Sequence, residues 1–84
     1  MTTSKESLFP QLQAVIARTL DTRPSVIELD AQLYDDLGAD SLDLIELSIA
    51  LEEKFLPRQN IPTADLGSFH TVGDVLAYIE KNAA

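Results

Sequence analysis

The chain has 84 residues, the size of one small domain. Fourteen acids against 6 bases give a formal net charge of -8, which disfavours nucleic acid and anionic membranes and favours basic protein surfaces as partners. An apolar fraction of 45% predicts a globular domain, and no apolar run approaches the roughly 20 residues that cross a bilayer. No secretory signal is predicted, and the lack of cysteine excludes disulfides and thiolate metal sites.

The first predicted helix runs from about residue 7 to residue 20, because apolar residues recur at the spacing of one helix face. Its start has two solutions. Ser7 as N-cap places Pro10 in the first turn, where proline is tolerated. A capping box formed by Thr3 and Glu6 starts the helix earlier and implies a kink at Pro10. The sequence does not choose between them.

Residues 21–39 are predicted to form a long connection, since Pro24 and Gly38 interrupt it and helical periodicity is absent. The segment nevertheless contains five large apolar residues, namely Val26, Ile27, Leu29, Leu33 and Leu37. We expect a connection of this composition to lie across the core.

A second helix is predicted over about 41–56, with Asp40 as N-cap and Pro57 as the stop signal. A short third helix follows between Pro62 and Gly67.

The last helix starts at Thr71, a favourable N-cap with Asp74 three residues later. No stretch alternates with the period of two that indicates a sheet. The predicted fold is therefore all-α, a small four-helix bundle with a long first loop and a short third helix, in a single domain over 1–84.

The second helix has two apolar faces when it is drawn at about 100° per residue. The predicted core face contains Leu44, Leu47, Leu51 and Phe55. The second face lies roughly 150° away and contains Leu42, Ile45, Ile49 and Leu56. Between residues 35 and 53 the chain has seven acids and no Lys or Arg, although an ordinary solvated helix interleaves charges of both signs.

The second face has two interpretations. Either the 21–39 loop covers it, or it is a docking surface on which apolar side chains supply affinity and carboxylates steer a basic partner. The charge distribution favours docking. The predicted partner-binding residues on this face are Ile45, Glu46, Ile49, Glu52 and Glu53, and the family resemblance described below adds Asp43.

Ser41 lies at the predicted start of this helix. A phosphate ester on a serine there would be stabilised by the free backbone N–H groups of the helix terminus. Position alone does not distinguish such a site from an ordinary helix cap.

Residues 37–47 read Leu-Gly-Ala-Asp-Ser-Leu-Asp-Leu-Ile-Glu-Leu, and this segment closely resembles the phosphopantetheine-attachment motif of acyl carrier proteins. The resemblance continues in the right order at residues 50–55, 61–62, 71–75 and 78–79. It covers most of the chain from Leu33 onward, whereas the N-terminal part matches only in pattern.

The resemblance implies that Ser41 carries a 4′-phosphopantetheine arm, installed from coenzyme A by a separate phosphopantetheinyl transferase, with Asp40 and Leu42 in the same site. The thiol of the arm would hold acyl groups as thioesters. The chain would then be a carrier and not an enzyme. Its partners would be the transferase and biosynthetic or acyltransferase enzymes of the fatty-acid or polyketide type, which dock on the second face.

The resemblance also implies that the acyl chain is held between the helices. The candidates are Leu44, Leu47, Leu51, Phe55, Ile61, Val72, Leu76 and Ile79. Each is equally suited to an ordinary core. The sequence departs from the family pattern in a longer, less acidic stretch at 56–60 and at residues 68–70, which leaves general fatty-acid synthesis and a dedicated pathway both open.

Other functions fit less well. A serine hydrolase needs a base near Ser41, but the single histidine is His70 and no Gly-x-Ser-x-Gly elbow exists. An EF-hand needs oxygen ligands where Leu37 and Ala39 stand. An unmodified acidic interaction module is the main alternative, and an aminoacyl or peptidyl carrier would share the serine chemistry. We expect a free-standing, monomeric, cytoplasmic carrier with no nucleic-acid or membrane partner.

Overall fold

The computed structural model describes residues 5–82, with side chains from Leu8 onward. Its four α-helices are α1 (Lys5–Leu20), α2 (Ser41–Phe55), α3 (Thr63–Leu66) and α4 (Val72–Asn82). A 3-10 turn at Pro24–Val26 interrupts the loop between α1 and α2. This architecture confirms the predicted all-α bundle with a long first loop and a short third helix. Among the described helices, none is long and apolar enough to cross a membrane.

The start of α1 differs from one of the two predicted solutions. Lys5 is already helical, so Ser7 lies inside the helix and its prediction as N-cap is wrong. Pro10 is therefore beyond the first turn, where it removes one intrahelical donor. Pro10 itself is exposed. Thr3 of the alternative capping box lies outside the described residues.

The core is formed by the apolar faces of α1, α2 and α4 together with part of the first loop. Its large side chains that are less than 2% exposed include Leu12, Ile16, Ile27, Leu33, Leu47, Leu51, Val72, Val75 and Ile79. The expectation that the loop lies across the core holds for Ile27 and Leu33. It fails for Val26 and Leu29, which are exposed.

Three main-chain hydrogen bonds join the first loop to the start of α4. The N–H groups of Leu33, Val72 and Gly73 donate across this junction at 2.9, 3.0 and 2.8 Å. A Cβ at position 73 would lie 3.2 Å from the carbonyl oxygen of Leu29, so glycine permits the close approach. The loop is thereby fixed to α4 as well as anchored in the core by Ile27 and Leu33.

Side-chain contacts connect α3 to α4. Phe69 is 2% exposed and makes an edge-to-face contact with Tyr78, with ring centroids 5.2 Å apart. The Tyr78 hydroxyl donates to Asp65 of α3 at 2.7 Å. Burial, reinforced by the neighbouring Asp65 carboxylate, raises the pKa of Tyr78 to about 12. The short helix is thus held by a neutral tyrosine at physiological pH.

Candidate functional site

Ser41 is the first residue of α2 and is exposed. Gly38, at φ +74°, supplies the left-handed turn that precedes it. The N–H of Asp43 donates to Asp40 Oδ1 at 2.9 Å, and the N–H of Asp40 donates to Asp43 Oδ2 at 3.1 Å. This reciprocal capping box fixes the start of the helix and confirms Asp40 as its N-cap.

The second apolar face of α2 is exposed over most of its length. Leu42, Ile45 and Ile49 are 62%, 47% and 50% exposed, so the first loop does not cover them. Leu56, assigned to the same face from the sequence, is 2% exposed. That assignment is wrong because the helix ends at Phe55, and the change of backbone direction turns Leu56 into the core.

The four acids predicted beside this face fall into two groups. Glu46 and Glu53 are exposed. Asp43 belongs to the capping box, and Glu52 is half-buried with its carboxylate accepting the Ile61 N–H at 2.6 Å. Asp43 and Glu52 therefore stabilise local structure, which the charge pattern alone did not indicate.

The eight residues predicted to hold the acyl chain lie together in the bundle. Seven are buried, namely Leu44, Leu47, Leu51, Ile61, Val72, Leu76 and Ile79. Phe55 is partly buried and packs against them. In the structure they are core residues, packed in one cluster that links α2, α4 and the segment before α3.

A cleft of about 190 Å³ opens beside Ser41. Its lining residues are Tyr34, Ser41, Leu44, Ile45, Thr63, Leu66 and Gly67. Of the predicted acyl-chain residues, Leu44 alone lines it. The sequence analysis missed Tyr34, Thr63 and Leu66 because they come from separate segments and no motif connects them.

A larger cleft of about 520 Å³ follows the first loop, and Ser41 is not among its lining residues. Between residues 5 and 82, no group of three or more His, Asp or Glu side chains has an arrangement that could hold a metal ion.

His70 and Asp74 meet at the start of α4. His70 is 75% exposed, and its Nδ1 lies 3.9 Å from Asp74 Oδ2. The Asp74 N–H donates to Thr71 Oγ1 at 3.1 Å, and the Thr71 N–H donates to Asp74 Oδ2 at 3.0 Å, which confirms Thr71 as N-cap. The hydrogen bond from the Thr71 backbone lowers the pKa of Asp74, with a further contribution from the His70 backbone.

Comparisons with known proteins agree with this geometry. Residues 10–79 match the family model described as "Phosphopantetheine attachment site". The acyl carrier protein of Thermotoga maritima is 41% identical over 78 residues, which are 93% of this chain and 94% of that protein. The acyl carrier protein of Helicobacter pylori strain J99 is 46% identical over 76 residues, 90% of this chain and 95% of that protein.

A solved structure shares the fold. The solution structure of the apo doublet acyl carrier protein from prodigiosin biosynthesis superposes with a TM-score of 0.80 at 26% identity and covers 99% of this chain. This chain spans 39% of the length of that doublet chain.

The helical fold and the family match define a carrier domain that works through a covalently attached prosthetic group. Within that class, the chain belongs to the phosphopantetheine-dependent acyl carrier protein family, as the family match and the identities show. Its prosthetic group is 4′-phosphopantetheine, and its function is to carry acyl groups. Proteins of this family interact with biosynthetic enzymes and transferases. An exposed hydroxyl at a helix start with an open cleft beside it fits that group.

Proposed function

We propose that Ser41 is the attachment point of 4′-phosphopantetheine and that the chain presents acyl intermediates to enzymes of fatty-acid or related acyl-chain biosynthesis without itself being an enzyme. The position of Ser41 is the observation that supports this most. It is exposed, it is the first residue of α2, and the Asp40–Asp43 capping box holds it there. A phosphodiester at this point lies near the free N–H groups of the first turn, which carry partial positive charge.

The attachment reaction needs an exposed and fixed hydroxyl. The transferase joins the Ser41 oxygen to the phosphate of the arm, the hydroxyl proton is lost, and the nucleotide half of coenzyme A leaves. The arm then supplies the thiol that binds acyl groups as thioesters, chemistry that a cysteine-free chain lacks by itself. Asp40 contributes by holding the helix start, and Leu42 offers an exposed apolar contact beside the serine.

A docking surface on α2 completes the proposal. The exposed strip of Leu42, Ile45 and Ile49 offers apolar contact area, and the exposed carboxylates of Glu46 and Glu53 attract a basic partner. Asp43 and Glu52 add negative charge while serving structural roles. Binding through a small patch with a charged rim is short-lived, which suits a carrier that must leave one enzyme for the next.

The remaining parts of the proposal concern cargo and setting. The acyl chain lies between the helices, against the predicted set that includes Leu47 and Ile79, and these side chains must separate to admit it because they now pack in the core. The domain spans 1–84, is monomeric and is cytoplasmic.

Intact-mass measurement tests the attachment point. The protein is incubated with coenzyme A and a broad-specificity phosphopantetheinyl transferase, alongside Ser41→Ala and the control Ser25→Ala, an exposed serine of the first loop. The wild type and the control should gain one phosphopantetheine, and Ser41→Ala should gain none. A folded wild type that gains no mass, with a transferase that loads another carrier in the same assay, would favour an unmodified interaction module.

A further inference from the structure

Three separate segments of the chain meet beside the proposed attachment oxygen. Tyr34 comes from the first loop, Ile45 from α2, and Leu66 from α3, and all three line the cleft that contains Ser41. The cleft is open to solvent, and its position follows from the fold, because the turn at Gly38 brings the first loop and the start of α2 together.

The size of the cleft restricts its occupant. At about 190 Å³ it is smaller than the roughly 300–1,000 Å³ of pockets that enclose a whole small-molecule ligand. It therefore accommodates one segment of a flexible arm. The arm begins with the phosphate, continues through a methylene to a carbon that carries two methyl groups, and then presents a hydroxyl and two amides. The dimethyl carbon is its branched apolar group and lies nearest the serine.

The lining of the cleft matches that segment. The aliphatic residues Leu44, Ile45 and Leu66 line it, although Leu44 is largely buried, and Thr63 is a lining residue with a hydroxyl. Burial of the dimethyl carbon against aliphatic side chains removes apolar surface from water, worth about 25 cal/mol per Å². The covalent bond to Ser41 supplies the segment at high effective concentration, so even a small contact area favours the docked position.

Tyr34 lines the cleft from the first loop. Tyr34 is 47% exposed, so it is accessible to a group that enters the cleft. Its carbonyl accepts the Gly38 N–H at 3.1 Å, so the backbone fixes the residue within the turn that precedes Ser41. A tyrosine ring offers rigid contact area at a low cost in conformational entropy.

We propose that this cleft holds the dimethyl segment of the phosphopantetheine arm, and that Tyr34 is a positioning residue whose ring packs against that segment. The inference rests on the proposed attachment at Ser41. Its consequence is that the arm leaves the serine in a preferred direction, between the first loop and α3. The acyl end is then presented from one side of the domain.

Nuclear magnetic resonance of the loaded protein tests the inference. Isotopically labelled protein is loaded with coenzyme A and the transferase, and intact mass confirms loading before any spectrum is compared. Cross-relaxation is measured between the dimethyl protons and the Tyr34 ring protons. Amide shift differences between loaded and unloaded protein are measured at Thr63, Leu66 and Gly67.

The variants are Tyr34→Ala, Tyr34→Phe and the control Leu29→Ala. Leu29 is 45% exposed in the same loop and is not among the residues that line the cleft. Tyr34→Ala should reduce the shift differences on α3 to less than half of the wild-type values. Tyr34→Phe and Leu29→Ala should retain them. Circular dichroism checks that each variant is folded, as expected for half-exposed positions.

The experiment distinguishes failure of this inference from failure of the proposed attachment at Ser41. A loaded wild type without the dimethyl-to-ring contact, or a loaded Tyr34→Ala with unchanged shifts on α3, overturns the inference and leaves the attachment at Ser41 standing. A Tyr34→Phe variant that behaves like Tyr34→Ala overturns the role given to ring packing. A protein that gains no mass overturns the attachment itself.

Discussion

The two apolar faces of α2 both consist mainly of aliphatic side chains, but they lie in opposite environments. Leu44, Leu47 and Leu51 are at most 3% exposed, whereas the residues of the docking strip are 47–62% exposed. The first set removes apolar surface from water in the folded monomer and stabilises it. The second set gains that contribution only when a partner covers it. On the proposed function, one helix therefore serves stability on one side and recognition on the other.

This comparison also separates the acids of α2. Glu52 points its carboxylate at the backbone before α3, on the boundary between the two faces, while Glu53 is exposed. On the proposed function, the adjacent Glu52 and Glu53 therefore have different roles, Glu52 in local structure and Glu53 in partner binding. Measurements on variants of both faces test this distinction.

Truncation on each face is the strongest contrast. Leu47→Ala should lower the free energy of unfolding by about 2–5 kcal/mol, because it leaves a cavity in the core. Ile49→Ala should change it by less than about 0.5 kcal/mol, as exposed positions do. Urea denaturation followed by circular dichroism measures both. Equal losses in the two variants would contradict the division of the helix into two faces.

Charge reversal addresses the recognition side. The double variant Glu46→Lys, Glu53→Lys should weaken binding of the transferase roughly tenfold at low salt, because exposed rim charges steer and hold a basic partner. The control Glu28→Lys, Asp30→Lys makes the same change in net charge on the first loop. Surface plasmon resonance at two salt concentrations compares them. Unchanged affinity of the α2 variant at low salt would rule out docking through these carboxylates.

Variants of Glu52 and Glu53 test the boundary between the two faces of α2. Glu52→Ala should cost about 1 kcal/mol of unfolding free energy, because the part-buried Ile61 N–H loses its acceptor. Glu53→Ala should leave stability nearly unchanged and affect only partner binding. The two variants are compared by urea denaturation. If Glu53→Ala proved the more destabilising, the assignment of roles to this pair would be wrong.

Helix α4 is a reference for the comparison, because its large aliphatic side chains are all buried. We expect the smallest change in stability there, at Asp74. The folded-state pKa of Asp74 is below its ordinary value of 3.8, so its contribution to stability is present above that value and is lost as the pH falls through the folded-state pKa. The difference in unfolding free energy between wild type and Asp74→Asn should shrink below about pH 4.

The change amounts to a fraction of a kcal/mol, since the Asp74 side chain is 44% exposed. Thermal denaturation at a series of acidic pH values detects it. A difference that stays constant across the series would show that ionisation of Asp74 does not support the cap.

Much of the fold was predictable because the governing signals are local. The caps at Asp40 and Thr71 and the apolar periodicity gave the positions of α2 and α4. The start of α1 was harder, since an exposed proline is tolerated within a helix that is held by its buried face. The environment of Leu56 was wrong because a helix that ends one residue earlier redirects the next side chain.

The candidate site was predictable in part for the same reason. Ser41 and its neighbours form a contiguous motif, so one segment of sequence contained the signal. The structural bonds of Asp43 and Glu52 depend on which backbone donors the fold brings near them, and the charge pattern does not contain that information. The cleft with Tyr34 joins three distant segments, which periodicity within one element cannot reveal.

The hydrogen bonds between the first loop and α4 have a further consequence. They join Leu33 to His70 and Gly73 to Leu29. The two ends of the segment 33–70 are therefore held together at one small junction. This segment includes Ser41, α2 and α3. Any swing of this part relative to α1 and α4 must pivot at the junction or open it. Hydrogen exchange of the Leu33 and Gly73 amides can be compared with that of the α3 amides. Slow exchange at Leu33 and Gly73 with fast exchange in α3 would show that the junction stays intact while the segment moves.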